Sequence, residues 1–139
     1  MKYIKEFRHD GELVALLVRK EFQNRNASEH AVFVSANNQS LQLGIGHYAK
    51  NLRAPAHTHD RTRLVSHYEE ILHLIRGRMR VNLYSRARIK FASFIMRSGD
   101  TVHLISGGHG FEMLSACKCI EIKQGPYMGK NNKLIFDRT

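Results

Sequence analysis

Short apolar runs separated by turn residues set the pattern of this chain. The first run, LVALLV at 13–18, lies between the Asp10-Gly11 turn signal and Arg19-Lys20-Glu21, and its valines and brevity favour a strand over a short helix. A second strand is predicted at 31–35, stopped by Asn37-Asn38. A third covers 40–48, with Leu41, Leu43 and Ile45 on one face and Gly44 and Gly46 permitting a bend or a close approach. Residues 70–75 and 79–84 flank Arg76-Gly77-Arg78 and predict a hairpin. A run at 91–96, a turn at Ser98-Gly99-Asp100 and a run at 102–105 follow. Gly107-Gly108-His109-Gly110 predicts a turn, and 111–114 and 119–123 predict two more strands, the last ended sharply by Gly125-Pro126. In the tail, Leu134, Ile135 and Phe136 can pack back on the body.

No helical period is sustained beyond about three turns, and no strand–helix alternation appears, which disfavours a doubly wound fold. About nine short strands with regular turn signals imply an all-β antiparallel sandwich or barrel. The length of 139 residues suits one domain with a single core. Seven Phe, five Tyr and only two Pro, within a 42% apolar composition, predict a folded domain rather than disorder. No run is long enough to span a membrane and the N-terminus lacks the apolar core of a signal peptide, so a cytoplasmic protein is expected. Cys117 and Cys119 stand two apart, with no other cysteine to pair with, and are expected as reduced thiols.

The net charge of +10, from 22 Lys and Arg against 12 Asp and Glu, makes an anionic partner physically reasonable. Basic residues are spread along the chain and peak over 76–90, without the dense block of a nucleic-acid arm. A generally basic surface without specific meaning is the first reading of this charge; a small anionic ligand comes next, ahead of nucleic acid, for which no recognition element is evident.

Candidate chemistry concentrates in PAHTHDRTRLVSHYEEILHLIRG, residues 55–77. His57 and His59 are separated by one residue, which in extended backbone puts both imidazoles on one face. By the same alternation Glu70 shares a face with Leu72 and Leu74, while Glu69, Ile71 and His73 share the other. If the leucines line the interior, Glu70 is an enclosed carboxylate that needs an ion or a cation beside it. His109 follows the glycines of SGGHG. Together His57, His59, Glu70 and His109 are candidate ligands for a divalent first-row metal. The bland alternative is a surface loop whose histidines meet water. Arg61 and Arg63 can clamp a phosphate or carboxylate through their planar forks, or simply be solvated. His67, His103 and Tyr84 are candidate ligand-binding residues, weighed against ordinary packing roles, and His73 is expected to face away from Glu70. Tyr84 and Tyr127 are candidates for stacking on a sugar or nucleotide, weighed against ordinary roles as β-structure or turn aromatics.

His57-x-His59 and the E-x6-G of Glu70 to Gly77 match the two ends of a first cupin motif, and Gly99 to His109 resembles the second. LQLGIGHYA, RSGDTVHLISGGHGFEML and IEIKQGPYMG extend the likeness over most of the chain, which resembles single-domain cupins, some associated with surface-polysaccharide gene sets. The resemblance implies a single cupin domain over 1–139, with N-terminal strands at about 1–36 and a C-terminal extension at about 125–139. It implies a double-stranded β-helix, a jelly-roll-like barrel, forming a homodimer, with a metal (Fe, Zn, Mn or Ni) near one mouth. Two departures reshape the site. Ten residues separate His59 from Glu70 where the motif has three or four, which brings His67 in as a substitute ligand or a gate. Ile105 stands where the second motif has proline, and His109 falls one residue early, leaving three-ligand and metal-free sites as alternatives. The expected function is a metal-binding cupin that binds or modifies a small anionic or carbohydrate-related ligand, such as a sugar or sugar phosphate. The alternative is a sensing or structural module without catalysis, and no residue is assigned as catalytic.

Overall fold

The structure, a computed structural model, describes residues 2–22, 31–59, 64–65, 67–125 and 134–136. Among these residues the strands are β1 (Ile4–His9), β2 (Glu12–Val18), β3 (Val32–Phe33), β4 (Gly44–Ile45), β5 (Glu70–Arg76), β6 (Arg78–Tyr84), β7 (Lys90–Arg97), β8 (Thr101–Leu104), β9 (Gly108–Met113) and β10 (Lys118–Lys123). They form a five-stranded sheet in the order β1-β2-β8-β5-β10, a three-stranded sheet β7-β6-β9 and the small pair β3-β4. Every pairing is antiparallel. The all-β expectation holds, and the described strands do not close into a barrel. No helix occurs among them, so none is long and apolar enough to cross a membrane.

The hairpin expected at Arg76-Gly77-Arg78 does not form. β5 pairs with β8 and β10, whereas β6 pairs with β7 and β9, so the two strands lie in different sheets. Gly77 alone separates them, and a tight hairpin needs at least two loop residues. The chain therefore runs straight from one sheet into the other. The result is one long three-stranded ribbon: residues 70–84 in the middle, 90–104 on one side and 108–123 on the other. Its two halves fold against each other along a crease that crosses Gly77 and Gly99.

Both glycines have positive φ, 106° and 90°. A Cβ on Gly77 would run into the Ala116 carbonyl oxygen and lie 2.8 Å from Cys117 Sγ, and one on Gly99 would lie 2.8 Å from Lys20 Cβ. Backbone bonds close the crease: Gly99 N–H donates to Leu74 O at 2.6 Å and Leu74 N–H to Asp100 O at 3.0 Å. The fully buried Asp100 carboxylate pins it, accepting from Arg19 Nη1 at 2.7 Å and from the N–H groups of Arg97 at 2.8 Å and Lys20 at 3.1 Å.

Period-two alternation on the folded ribbon supplies the core. Leu72, Leu74, Val102 and Leu104 from one half meet Met79, Val81, Leu83 and Met96 from the other, with Phe7, Ala15 and Leu17 of the β1–β2 hairpin. Each large side chain buried in this way contributes roughly 1.5–3 kcal/mol. β1 carries only one buried residue, Phe7, and its weak pattern escaped the sequence reading. The Asp10-Gly11 turn that joins it to β2 has φ of 48° and 81°, as a two-residue hairpin loop requires. The strands predicted at 31–35 and 40–48 shrink to the two-residue β3 and β4. Of the glycine turn predicted at 107–110 only Gly107 lies outside a strand: residues 105–107 connect β8 to β9, which already begins at Gly108.

Gly77→Ala is expected to cost at least about 2 kcal/mol of unfolding free energy, from the positive φ and the steric conflict combined. Urea denaturation of the purified variant measures it, and an unchanged midpoint would rule out the crease as described.

Candidate functional site

Because the ribbon folds in half, the outer ends of its strands gather at one end of the two sheets. The start of β5, the ends of β6, β8 and β10 and the start of β9 surround a cavity of about 760 Å³, lined by Glu70, Tyr84, Leu104, His109, Phe111 and Lys123 among others. Glu70 reaches it for the reason its alternation implies: Leu72 and Leu74 are core residues, so Glu70 shares their inward face. His109 stands on β9 of the opposite sheet, and its Nε2 is 3.3 Å from Glu70 Oε2. Lys123 is the cross-strand partner of Glu70, with Nζ 3.1 Å from Glu121 Oε1. Burial pushes the Glu70 carboxyl up. Hydrogen bonds with His109 and Glu121, and the positive charges of His109 and Lys123, outweigh it and hold the group down at about 2.

Glu69 points the other way. Its carboxylate is fully buried and accepts four hydrogen bonds: from Ser40 N–H at 2.8 Å, Leu41 N–H at 3.1 Å, His67 Nε2 at 2.7 Å and His103 Nε2 at 2.6 Å. Burial raises this group too, but the two backbone donors and His103 prevail and leave it below the usual carboxylate range. His103 has no exposed surface, and burial, opposed by Glu69, holds its imidazole below the ordinary histidine value. A carboxylate oxygen only accepts, so Nε2 carries the donated proton, and the buried Nδ1 has no partner among the described residues. Gln124 adds a further tie, its Oε1 accepting from Glu69 N–H at 2.8 Å. Four acceptor positions filled by four donors make Glu69 a hub that ties 40–41 to the sheet.

The remaining candidates scatter. His57 and His59 are exposed and do not line the cavity, although their rings are 5.0 Å apart, the mutual approach expected of them. His57 Nδ1–H donates to Pro55 O at 3.0 Å. Among the described residues no three His, Cys, Asp or Glu side chains are placed to hold a metal ion. Of the four candidate ligands the structure brings together Glu70 and His109 and leaves the other pair outside. His67 and His103 serve the Glu69 hub. Tyr84 does line the cavity, its ring edge-on to Phe136 at 5.1 Å. His73 faces away from Glu70 as expected, sharing a 2.9 Å hydrogen bond with Thr101 Oγ1. Both cysteines are free. Arg61, Arg63 and Tyr127 lie outside the described residues.

Two residues were missed by the sequence reading. Glu69 was given the face opposite Glu70 and no role, yet its neighbourhood in HYEE, two residues after His67 and on the face of Ile71, already carried a signal. Arg88 had no sequence signal beyond its place in the basic stretch. It also lines the cavity.

Comparison with protein-family models, curated proteins and solved structures finds no match for this chain.

The depressed Glu70 carboxyl predicts an acid limb. Its contribution to stability is complete above the ordinary value of 4.5 and is lost as pH falls through about 2. Stability measured by urea titration from pH 6 to pH 2 should fall less steeply in Glu70→Gln than in the wild type. Identical slopes would mean that Glu70 gains nothing from His109 and Lys123.

Proposed function

We propose that this chain is a cupin-like binding protein whose end cavity takes a small anionic ligand. The observation that carries the proposal is the Glu70–His109 pair, contributed by facing sheets, at a cavity of about 760 Å³ whose lining includes Arg86, Arg88 and Lys123. The volume is in the range of small-molecule sites, and its mixed aromatic and charged lining suits a ligand with both polar and apolar surface. The positive net charge favours an anion over a cation. The creased ribbon supports the double-stranded β-helix reading, because consecutive strand pairs of that architecture alternate between facing sheets. The proposed activity is binding, as in the sensing or structural module; the cavity assigns no reaction.

Metal binding is the second reading, favoured by the same pair. Glu70 and His109 would supply two ligands, and His57 and His59 would have to approach from outside the cavity. The chemistry of this donor set suits Zn, Fe, Mn or Ni. A homodimer is supported by the half-exposed Ile120 and Ile122 on β10, an edge strand of the five-stranded sheet. Light scattering should then give about twice the 16.0 kDa of one chain.

Calorimetric titration with sugar phosphates and hydroxy acids is expected to show binding that weakens about tenfold or more in His109→Ala, the loss of one charge-assisted contact. Metal content by mass spectrometry after refolding with and without Zn, Fe, Mn or Ni tests the second reading. Metal near zero with an unchanged melting temperature would reject it while leaving ligand binding in place.

A further inference from the structure

We propose that Arg88 is the residue that binds the ligand's anionic group, gripping a phosphate or carboxylate through its guanidinium at the cavity wall. The inference rests on the cavity being a ligand site, and adds to it which side chain meets the anion. Arg88 sits in the loop between β6 and β7 with φ of 66°. Its N–H donates to Ser85 O at 2.9 Å and Ser85 N–H donates to Ile89 O at 2.9 Å, so it occupies the third place of a tight loop, where the backbone turns left-handed. Glycine and asparagine take that conformation readily, and other residues pay a backbone penalty. Among the described residues the other two non-glycine residues with positive φ are Asp10 and Asn51, types that tolerate it. Only Arg88 among the three has a side chain with no such local compensation.

Its side chain is also placed differently from the other cations of the cavity. Arg86 is held by Glu12, with Nη2 at 2.6 Å and Nε at 3.0 Å from one carboxylate oxygen. Lys123 is beside Glu121. Arg88 is exposed, lines the cavity and has no carboxylate partner among the described residues; its guanidinium carbon lies 5.9 Å from the centroid of the Phe136 ring. A guanidinium laid on an aromatic face keeps its N–H edge free for a planar pair of oxygens. A strained backbone that holds an unpaired fork at a cavity wall is explained by an oxyanion; an ordinary solvated arginine would be bettered by glycine at this position.

The test titrates glucose 6-phosphate, gluconate and uncharged glucose into the full chain, wild type and Arg88→Ala, Arg88→Gly and Arg88→Lys, following cavity-lining amides by NMR and melting temperature in parallel. Either charged probe should bind at least about tenfold more tightly than glucose, and that preference should vanish in Arg88→Ala and Arg88→Gly and survive in part in Arg88→Lys. The tighter of the two names the oxyanion. Arg88→Gly should melt a few degrees above Arg88→Ala, since only glycine relieves the left-handed backbone. Charged probes that bind the wild type and both truncated variants alike would overturn the role of Arg88 and leave the cavity reading standing. Charged probes that fail to bind the wild type or move its cavity amides would overturn the cavity reading and this inference with it. An Arg88→Gly protein that melts below Arg88→Ala would remove the strain argument.

Discussion

The crease across Gly77 and Gly99 governs both the core and the cavity. A flat three-stranded ribbon would expose one whole apolar face; folded in half, it buries Leu72 and Leu74 against Met79, Val81 and Leu83. The chain crosses the crease through the single residue Gly77 and through the tight turn at 98–100, and positive φ at Gly77 and Gly99 permits this while the Ala116 carbonyl and the Lys20 side chain pass close to them. Asp100 holds the outer corner, its carboxylate joined to Arg19 and to two backbone N–H groups. Once the crease is set, the far ends of the strands have no choice but to meet, and the cavity is the space between them.

Two adjacent glutamates show how the sheet geometry divides labour. Side chains alternate across a strand, so Glu69 and Glu70 leave opposite faces of the same segment. Glu69 enters a dry environment and is stable there because four donors meet its two oxygens. Glu70 enters a space shared with His109 and Lys123, where cations keep it ionised and in reach of a ligand. Exchange of the two roles would require a one-residue slip of the whole strand, which would also turn Leu72 and Leu74 outward.

The strand positions from residue 70 onward were largely readable, because alternation with turn residues is a local signal: 70–76, 78–84, 90–97 and 118–123 fall close to their predicted places. Glu70 facing inward was readable for the same reason. Which sheet each strand joins was not, since the same local pattern at Arg76-Gly77-Arg78 suits a hairpin and a crease equally well. The Glu69 hub depends on backbone N–H groups of Ser40 and Leu41, about thirty residues away, which no local pattern could place there. His57 and His59 illustrate the converse: their spacing did bring the two rings together, but spacing carries no information about where the loop bearing them lies relative to the sheets.

By itself the sequence determined an all-β chain, the inward faces of its main strands and the need of an enclosed Glu70 for a partner, since these follow from period-two alternation and from the cost of an unpaired enclosed charge. The tertiary structure alone decided that the partner is His109, that Glu69 is sealed behind four donors and that Arg88 lines the cavity with no carboxylate partner among the described residues. Those outcomes depend on contacts between residues far apart in the chain, and such contacts exist only once the ribbon has folded upon itself.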